Sequence, residues 1–231
     1  MRILVTRPGQ DGEATAALLA GRGHQPLLAP LLETRWLDGP PPDLSGIAAI
    51  LATSANGVRA LLRRSERRDI PVFAVGPQTA QEARAAGFLR VENAAGDARA
   101  LAQAVPRWLA PGAGALLHVC GEDSAGNLAE DLAARGYAVR RAILYAVAAL
   151  PLARAAQEAL RAGALDAALF FSPRSAGIFV EQALGLPLKA VTAFCISPAT
   201  AASLPPGVFA AIRIAAAPNQ DALLALLEAG P

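Results

Sequence analysis

Three segments of this chain occur twice, in the same order, each time about 115 residues apart. RILVTRPGQDGEATAALLAGRGHQPLLAPLLET, from Arg2, resembles ALLHVCGEDSAGNLAEDLAARGYAVRRAILYA, from Ala115. AAILATSANGVRALL resembles AALFFSPRSAGIFVEQAL, and VFAVGPQTAQEA resembles TAFCISPATAAS. A period this long is too large for a solenoid, so it points to two duplicated domains.

Inside each copy, short apolar β-rich runs alternate with Ala/Leu-rich stretches of helical character. That alternation is the pattern of βαβ units on a parallel sheet, an α/β fold. The candidate strands are 3–6, 26–30, 48–53, 72–75, 115–120, 167–172, 192–197 and 213–217. Helices are expected at Glu13–Arg22, Val58–Arg64, Ala80–Ala86, Asn127–Arg135 and Ala176–Ala183. Two further apolar, extended stretches, Leu32–Leu37 and Ala142–Val147, are each followed by proline, at Pro40-Pro41-Pro42 and at Pro151. Both read as crossings between domains. Two crossings make one domain discontinuous, with the middle of the chain inserted into it; tandem halves are the alternative.

With 231 residues and 54% hydrophobic content, the chain can bury one large core or two smaller ones. Its net charge of +2 argues against nucleic acid as a partner. The only basic cluster, Arg63, Arg64, Arg67 and Arg68, reads as a solvated helix end. Lys189 is the only lysine, and arginine suits bidentate binding of carboxylates. No apolar run reaches about 18 residues without charge or proline, so no membrane span is expected. The N-terminus enters a strand at Arg2-Ile3-Leu4-Val5-Thr6 without a leader pattern, and a cytoplasmic monomer is expected. Cys120 and Cys195 form no metal or redox pair, and His24 and His118 stand apart, so no metal site is expected. His118 reads as a strand residue rather than as half of a dyad with Cys120.

In open parallel sheets, ligands bind beyond the carboxyl ends of the strands. Those ends read Thr6-Arg7-Pro8-Gly9, Thr53-Ser54-Ala55-Asn56-Gly57, Val75-Gly76-Pro77-Gln78-Thr79, Cys120-Gly121-Glu122-Asp123-Ser124, Ser172-Pro173-Arg174-Ser175 and Ser197-Pro198-Ala199-Thr200. Ser54, Ser172 and Ser197 are candidate N-caps, with Pro173 and Pro198 as first helical residues. Thr79-Ala80-Gln81-Glu82 has the spacing of a capping box. Any one of these residues need only start a helix. Six helix N-termini together would present free N–H groups to a ligand with several anionic groups. Arg7 and Arg174, taken as occupying equivalent loops, could add charge-assisted bonds. There is no phosphate loop, no dinucleotide fingerprint and no nucleophile elbow, which disfavours a nucleotide-dependent enzyme. Such a catalyst would work by positioning and dipoles.

In order along the chain, V-T-R-P, T-S-A-N-G-V, V-G-P-Q-T-A, G-x-x-L-A-E-D-L-A-A-R-G-Y-x-V-x-R-x-x-L-Y, F-F-S-P-R-S-A and I-S-P-A-T-A resemble the strand-end motifs of uroporphyrinogen-III synthases. The resemblance covers essentially the whole chain. It implies two flavodoxin-like domains with parallel sheets, joined by a two-stranded linker, with the substrate in the cleft between them. It favours the discontinuous arrangement, residues 1–35 with 149–231 and an inserted domain of 36–148. The implied reaction is cofactor-free closure of hydroxymethylbilane to uroporphyrinogen III. The terminal hydroxyl leaves, a spiro intermediate forms, and the last ring is inverted. By the same resemblance, Tyr145 falls where the family has a tyrosine thought to help the hydroxyl leave. Thr79 and Thr200 match the threonines after the G-P and S-P turns. Thr53, Ser54 and Ser172 match strand-end positions, and Arg7, Gly76, Gly121, Arg174 and Ser197 complete the expected substrate-binding set. One departure stands out. Many members carry an R-G pair and a later arginine after the fifth strand, where this chain reads Cys120-Gly121 and Gly126-Asn127. A non-catalytic binding module for a small polyanion is the competing reading.

Overall fold

The structure is a computed structural model and describes residues 1–124 and 127–228. The chain divides into two compact units, Met1–Glu33 with Ala148–Pro231, and Thr34–Val147. Each is a sheet of mainly parallel strands between two layers of helix.

Unit 1 holds β1 (Arg2–Val5), α1 (Gly9–Gly21), β2 (Gln25–Leu28), α6 (Arg154–Arg161), β9 (Ala167–Phe170), α7 (Pro173–Gln182), β10 (Thr192–Cys195), α8 (Pro198–Ala201), β11 (Ala211–Ile214) and α9 (Gln220–Glu228). Its strands run in the order β11-β10-β9-β1-β2, all parallel. Every residue of β9 is buried, as befits a central strand covered on both faces. One face packs Leu4, Ala168 and Phe170 against Ala156 and Leu160 of α6 and Phe179 of α7. The other packs Ile3, Val5 and Leu169 against Leu19 of α1 and Leu223, Leu224 and Leu227 of α9.

Unit 2 holds most of β3 (Leu32–Trp36), then β4 (Ile47–Ala52), α2 (Ala55–Leu62), β5 (Val72–Ala74), α3 (Pro77–Ala85), β6 (Val91–Asn93), α4 (Ala98–Trp108), β7 (Ala115–Gly121), α5 (Leu128–Ala133) and most of β8 (Val139–Ala149). The order is β3-β8-β7-β4-β5-β6, parallel from β8 to β6. The edge strand β3 runs against β8, since Leu31 bonds Leu150 and Leu37 bonds Leu144. Ile50, Ala52, Leu117 and Val119 face Val58 and Leu61 of α2. Ala49, Leu51, Phe73 and Leu116 face Leu101 and Val105 of α4 and Leu128 and Leu132 of α5.

The duplicated segments occupy the same places. β1, β2, β9 and β10 of unit 1 correspond to β7, β8, β4 and β5 of unit 2, and both sheets order them identically. The chain reaches that order by different routes.

Three sequence expectations need correction. Helices α2, α3 and α7 begin three residues earlier than the apolar periodicity suggested, because the first turn is built from cap and loop residues with no stripe of their own. The spacing Thr79-Ala80-Gln81-Glu82 is not a capping box: α3 starts at Pro77 and is capped by Gly76, so Thr79 lies inside the helix. Strand β6 and helices α4, α6 and α9 lay outside the predicted runs. No helix among the described residues is long and apolar enough to cross a membrane, and no described cluster of His, Cys, Asp and Glu could hold a metal ion.

Candidate functional site

In each sheet one pair of neighbouring strands sends its helices to opposite faces, which opens a crevice beyond the strand ends. In unit 1 the pair is β1 and β9, followed by α1 and α7. In unit 2 it is β4 and β7, followed by α2 and α5. The residues singled out from sequence collect at these ends.

Serine caps start three of the helices. Ser54 Oγ accepts from the Asn56 amide at 3.2 Å, and Ser172 Oγ from the Ser175 amide at 3.1 Å. Ser197 Oγ accepts from the Thr200 amide at 3.3 Å and lies 3.0 Å from Thr200 Oγ1. The repeat partner of Ser197–Thr200 is Gly76–Thr79. Gly76 supplies no capping oxygen, so the first-turn amides of α3 and the buried Thr79 have no serine to satisfy them.

Tyr145 lies at the crevice of unit 2. It is 8% exposed, and its ring lies so close over Gly121 that a Cβ there would come within 2.8 Å of Cε2 and 3.0 Å of Cζ. Trp36 meets it edge-on at 6.4 Å between centroids. Burial pushes the phenol above its ordinary value. The Ser54 hydroxyl and the Gly121 backbone, which favour a negative oxygen, oppose that shift. The phenol therefore sits between the ends of β4 and β7, and only a glycine at 121 leaves room for it.

The two arginines differ. Arg7 donates from Nη1 to Gln220 Oε1 at 2.8 Å and from Nη2 to Asp11 Oδ2 at 3.0 Å, and it stacks 4.7 Å over Phe171. It ties the end of β1 to the starts of α1 and α9. Arg174 is exposed in the first turn of α7. Their loops are neighbours, not equivalents: the repeat sets the Arg7 loop against the loop after Cys120, and the Arg174 loop against the loop after Ser54.

His118 is the strand residue that the sequence suggested, but its partner was not foreseen. It is 4% exposed in β7, and its Nε2 lies 3.1 Å from Thr53 Oγ1 at the end of β4. Burial, assisted by the Arg141 charge, lowers its pKa to about 4, so the ring is neutral. Pairing it with Thr53 requires knowing that β4 and β7 are adjacent, which no local spacing reveals. Both cysteines are buried free thiols. Of the departures from the family pattern, Cys120 and Gly121 end β7, Asn127 caps α5, and Gly126 lies outside the described residues.

Residues 13–225 match the family described as uroporphyrinogen-III synthase HemD. No curated protein matches the chain. Among solved structures, the chain is similar to uroporphyrinogen-III synthetase from Helicobacter pylori, at 19% identity and a TM-score of 0.68, covering 99% of this chain and 98% of that one. It is also similar to a mutant uroporphyrinogen III synthase from Thermus thermophilus, at 23% identity and a TM-score of 0.59, covering 99% and 96%. At these identities the structures speak to fold alone. The family match spans nearly the whole chain, including every strand-end motif after the first, and the chain belongs to the uroporphyrinogen-III synthase family, the cyclising hydro-lyases of tetrapyrrole biosynthesis.

Proposed function

We propose that this chain closes hydroxymethylbilane to uroporphyrinogen III, with strand-end loops receiving the substrate's acetate and propionate groups. The observation that carries the proposal is the placement of Tyr145. A buried phenol whose oxygen is supported by Ser54 and the Gly121 backbone keeps its own proton available for donation. Such a group can hydrogen-bond a departing hydroxyl without changing its own ionisation.

The other residues have roles that their chemistry allows. Ser54, Ser172, Ser197 and Thr200 fix helix starts. Gly76 brings no capping side chain to the start of α3, where a carboxylate would meet the positive end of the helix. Thr53 offers a hydroxyl oriented by His118. Arg7 shapes the unit 1 loop through Asp11 and Gln220, and Arg174 is placed for charge-assisted contact. Uncatalysed closure gives the type I isomer, so the enzyme's task is to hold the inverted geometry, a matter of orientation.

The test is an isomer assay. Purified protein with hydroxymethylbilane, and with no added metal or cofactor, is expected to give mainly the type III product on chromatography of the oxidised porphyrins. A type I product alone would remove the proposal and leave the reading of a non-catalytic binder of polyanions.

A further inference from the structure

The strand pair that opens the crevice of unit 2 has a counterpart in unit 1, and the two differ at one buried place. In unit 1, Val5 of β1 stands opposite Leu169 of β9, and Phe171 lies two residues beyond Leu169. In unit 2, His118 of β7 stands opposite Leu51 of β4, and Thr53 lies two residues beyond Leu51. Successive strand residues alternate between faces, so in each unit these side chains share one face of the sheet. That face is covered by α1 and α9 in unit 1 and by α4 and α5 in unit 2. Val5 and Phe171 are apolar and belong to the packing there. The same architecture therefore closes without a polar pair, and packing alone does not call for His118 and Thr53.

Burying an imidazole is costly unless it is hydrogen-bonded. Among the described residues the hydrogen bond of the His118 ring goes to Thr53 Oγ1, and Thr53 Oγ1 has no other partner there. Arg141, beside His118 on β8, sends its Nη2 to Cys120 Sγ at 3.8 Å rather than to the ring. Thr53 is half-buried, between the last residue of β4 and the cap Ser54. Its hydroxyl is thus held from below by a buried ring at the strand end where the crevice opens. A hydroxyl has one proton to give and two lone pairs, so one bond to the ring leaves capacity for a ligand. An unheld threonine hydroxyl turns among staggered rotamers; a ring fixed in a central strand removes that freedom before a ligand arrives.

We propose that His118 is a positioning residue for the ring closure: it holds the Thr53 hydroxyl ready for a polar group of the substrate, and it acts on turnover through Thr53. The inference rests on the reading of hydroxymethylbilane as substrate. A contact of this kind is made alike in the bound substrate and in the transition state, so its loss falls on KM rather than on kcat.

The test is a double-mutant cycle on the kinetics of type III formation, with the full chain and with urea unfolding followed for each variant. His118→Val copies the residue that unit 1 holds at this place, and Thr53→Val removes the hydroxyl while keeping the side chain's shape. Each should raise KM by about fivefold or more and leave kcat within about twofold. The double variant should be no worse than either single change, because one bond is lost only once. His118→Gln sets an amide near the place of Nε2 and should bring KM back to within about twofold of wild type, which a mere packing role would not allow. Should His118→Val not fold, His118→Asn takes its place in the cycle, its amide too short to reach Thr53. Effects that multiply in the double variant overturn the proposal, as do an unchanged KM on losing the imidazole and a His118→Gln enzyme no better than the variant without a partner. A wild-type protein that forms no type III product removes the substrate assignment and this role with it; wild-type turnover with a multiplicative cycle removes this role alone.

Discussion

Thr53 Oγ1 and His118 Nε2 lie 3.1 Å apart, joining the end of β4 to the middle of β7 through two side chains far apart in sequence. The ring is buried and neutral, so Nε2 can accept the Thr53 proton and fix the direction of that hydroxyl.

This arrangement makes stability depend on pH. In the unfolded chain His118 titrates near 6.5; in the fold it titrates near 4. Between those values the unfolded state binds a proton that the native state does not, so stability is full above the upper value and falls as pH drops through the window. The loss should approach about 3 kcal/mol. Urea unfolding from pH 7 to pH 4 should show it, and His118→Gln should flatten the slope over that interval. An equally steep slope in the variant would assign the effect elsewhere.

Tyr145→Phe retains the ring over Gly121 and removes only the phenolic donor. Unfolding free energy should move little. The rate of type III formation should fall at least tenfold, about 1.4 kcal/mol of transition-state stabilisation. A wild-type rate would return Tyr145 to a purely packing role.

Gly121→Ala inserts a methyl 2.8 Å from the Tyr145 ring. We expect a destabilisation of about 1–3 kcal/mol, as for other overpacked cores. The added cost should largely vanish in a Tyr145→Leu background. A double-mutant cycle by denaturant unfolding reads this directly, and additive effects would show that the two residues do not collide.

Gly76→Ser restores in unit 2 the cap that Ser197 supplies in unit 1. The Gly76 backbone is extended, and an added Cβ meets only the Gly96 carbonyl, at 3.9 Å. Stability should rise by a few tenths of a kcal/mol. If α3 offers its first amides to a substrate carboxylate, KM should rise at the same time, because the serine competes for them. A lower or unchanged KM would mean that the α3 terminus takes no part in binding.

The repeats made the architecture legible, because strand, turn and helix signals recur in step and a duplicated pattern is hard to misread. Serine caps were legible for the same local reason: Ser172-Pro173 and Ser197-Pro198 carry both the oxygen and the ring that starts a helix. Thr79 was misread because its capping-box spacing is real, but Pro77 two residues earlier had already begun the helix. The pairing of His118 with Thr53 and the contact of Trp36 with Tyr145 were beyond reach. Each depends on which strands or loops lie side by side, and that is a property of topology rather than of spacing. Arg7 shows the same limit: its charge was visible, but its partners Asp11 and Gln220 come from opposite ends of unit 1.

The shared strand order, reached by two chain routes, has a consequence for synthesis on the ribosome. β1 and β2 emerge well before the central partner of β1, β9, which begins only at Ala167. Every parallel strand of unit 2, from β4 to β8, is translated in that interval. The inserted unit can therefore complete its sheet and bury its apolar faces while the first 33 residues still wait for theirs. β10, β11 and α9, translated after β9, complete the sheet and helix layers of the unit that β1 began. The parallel β1–α1–β2 unit thus waits with the β1 edge unpaired throughout the translation of unit 2, and it is the segment most in need of protection in that interval.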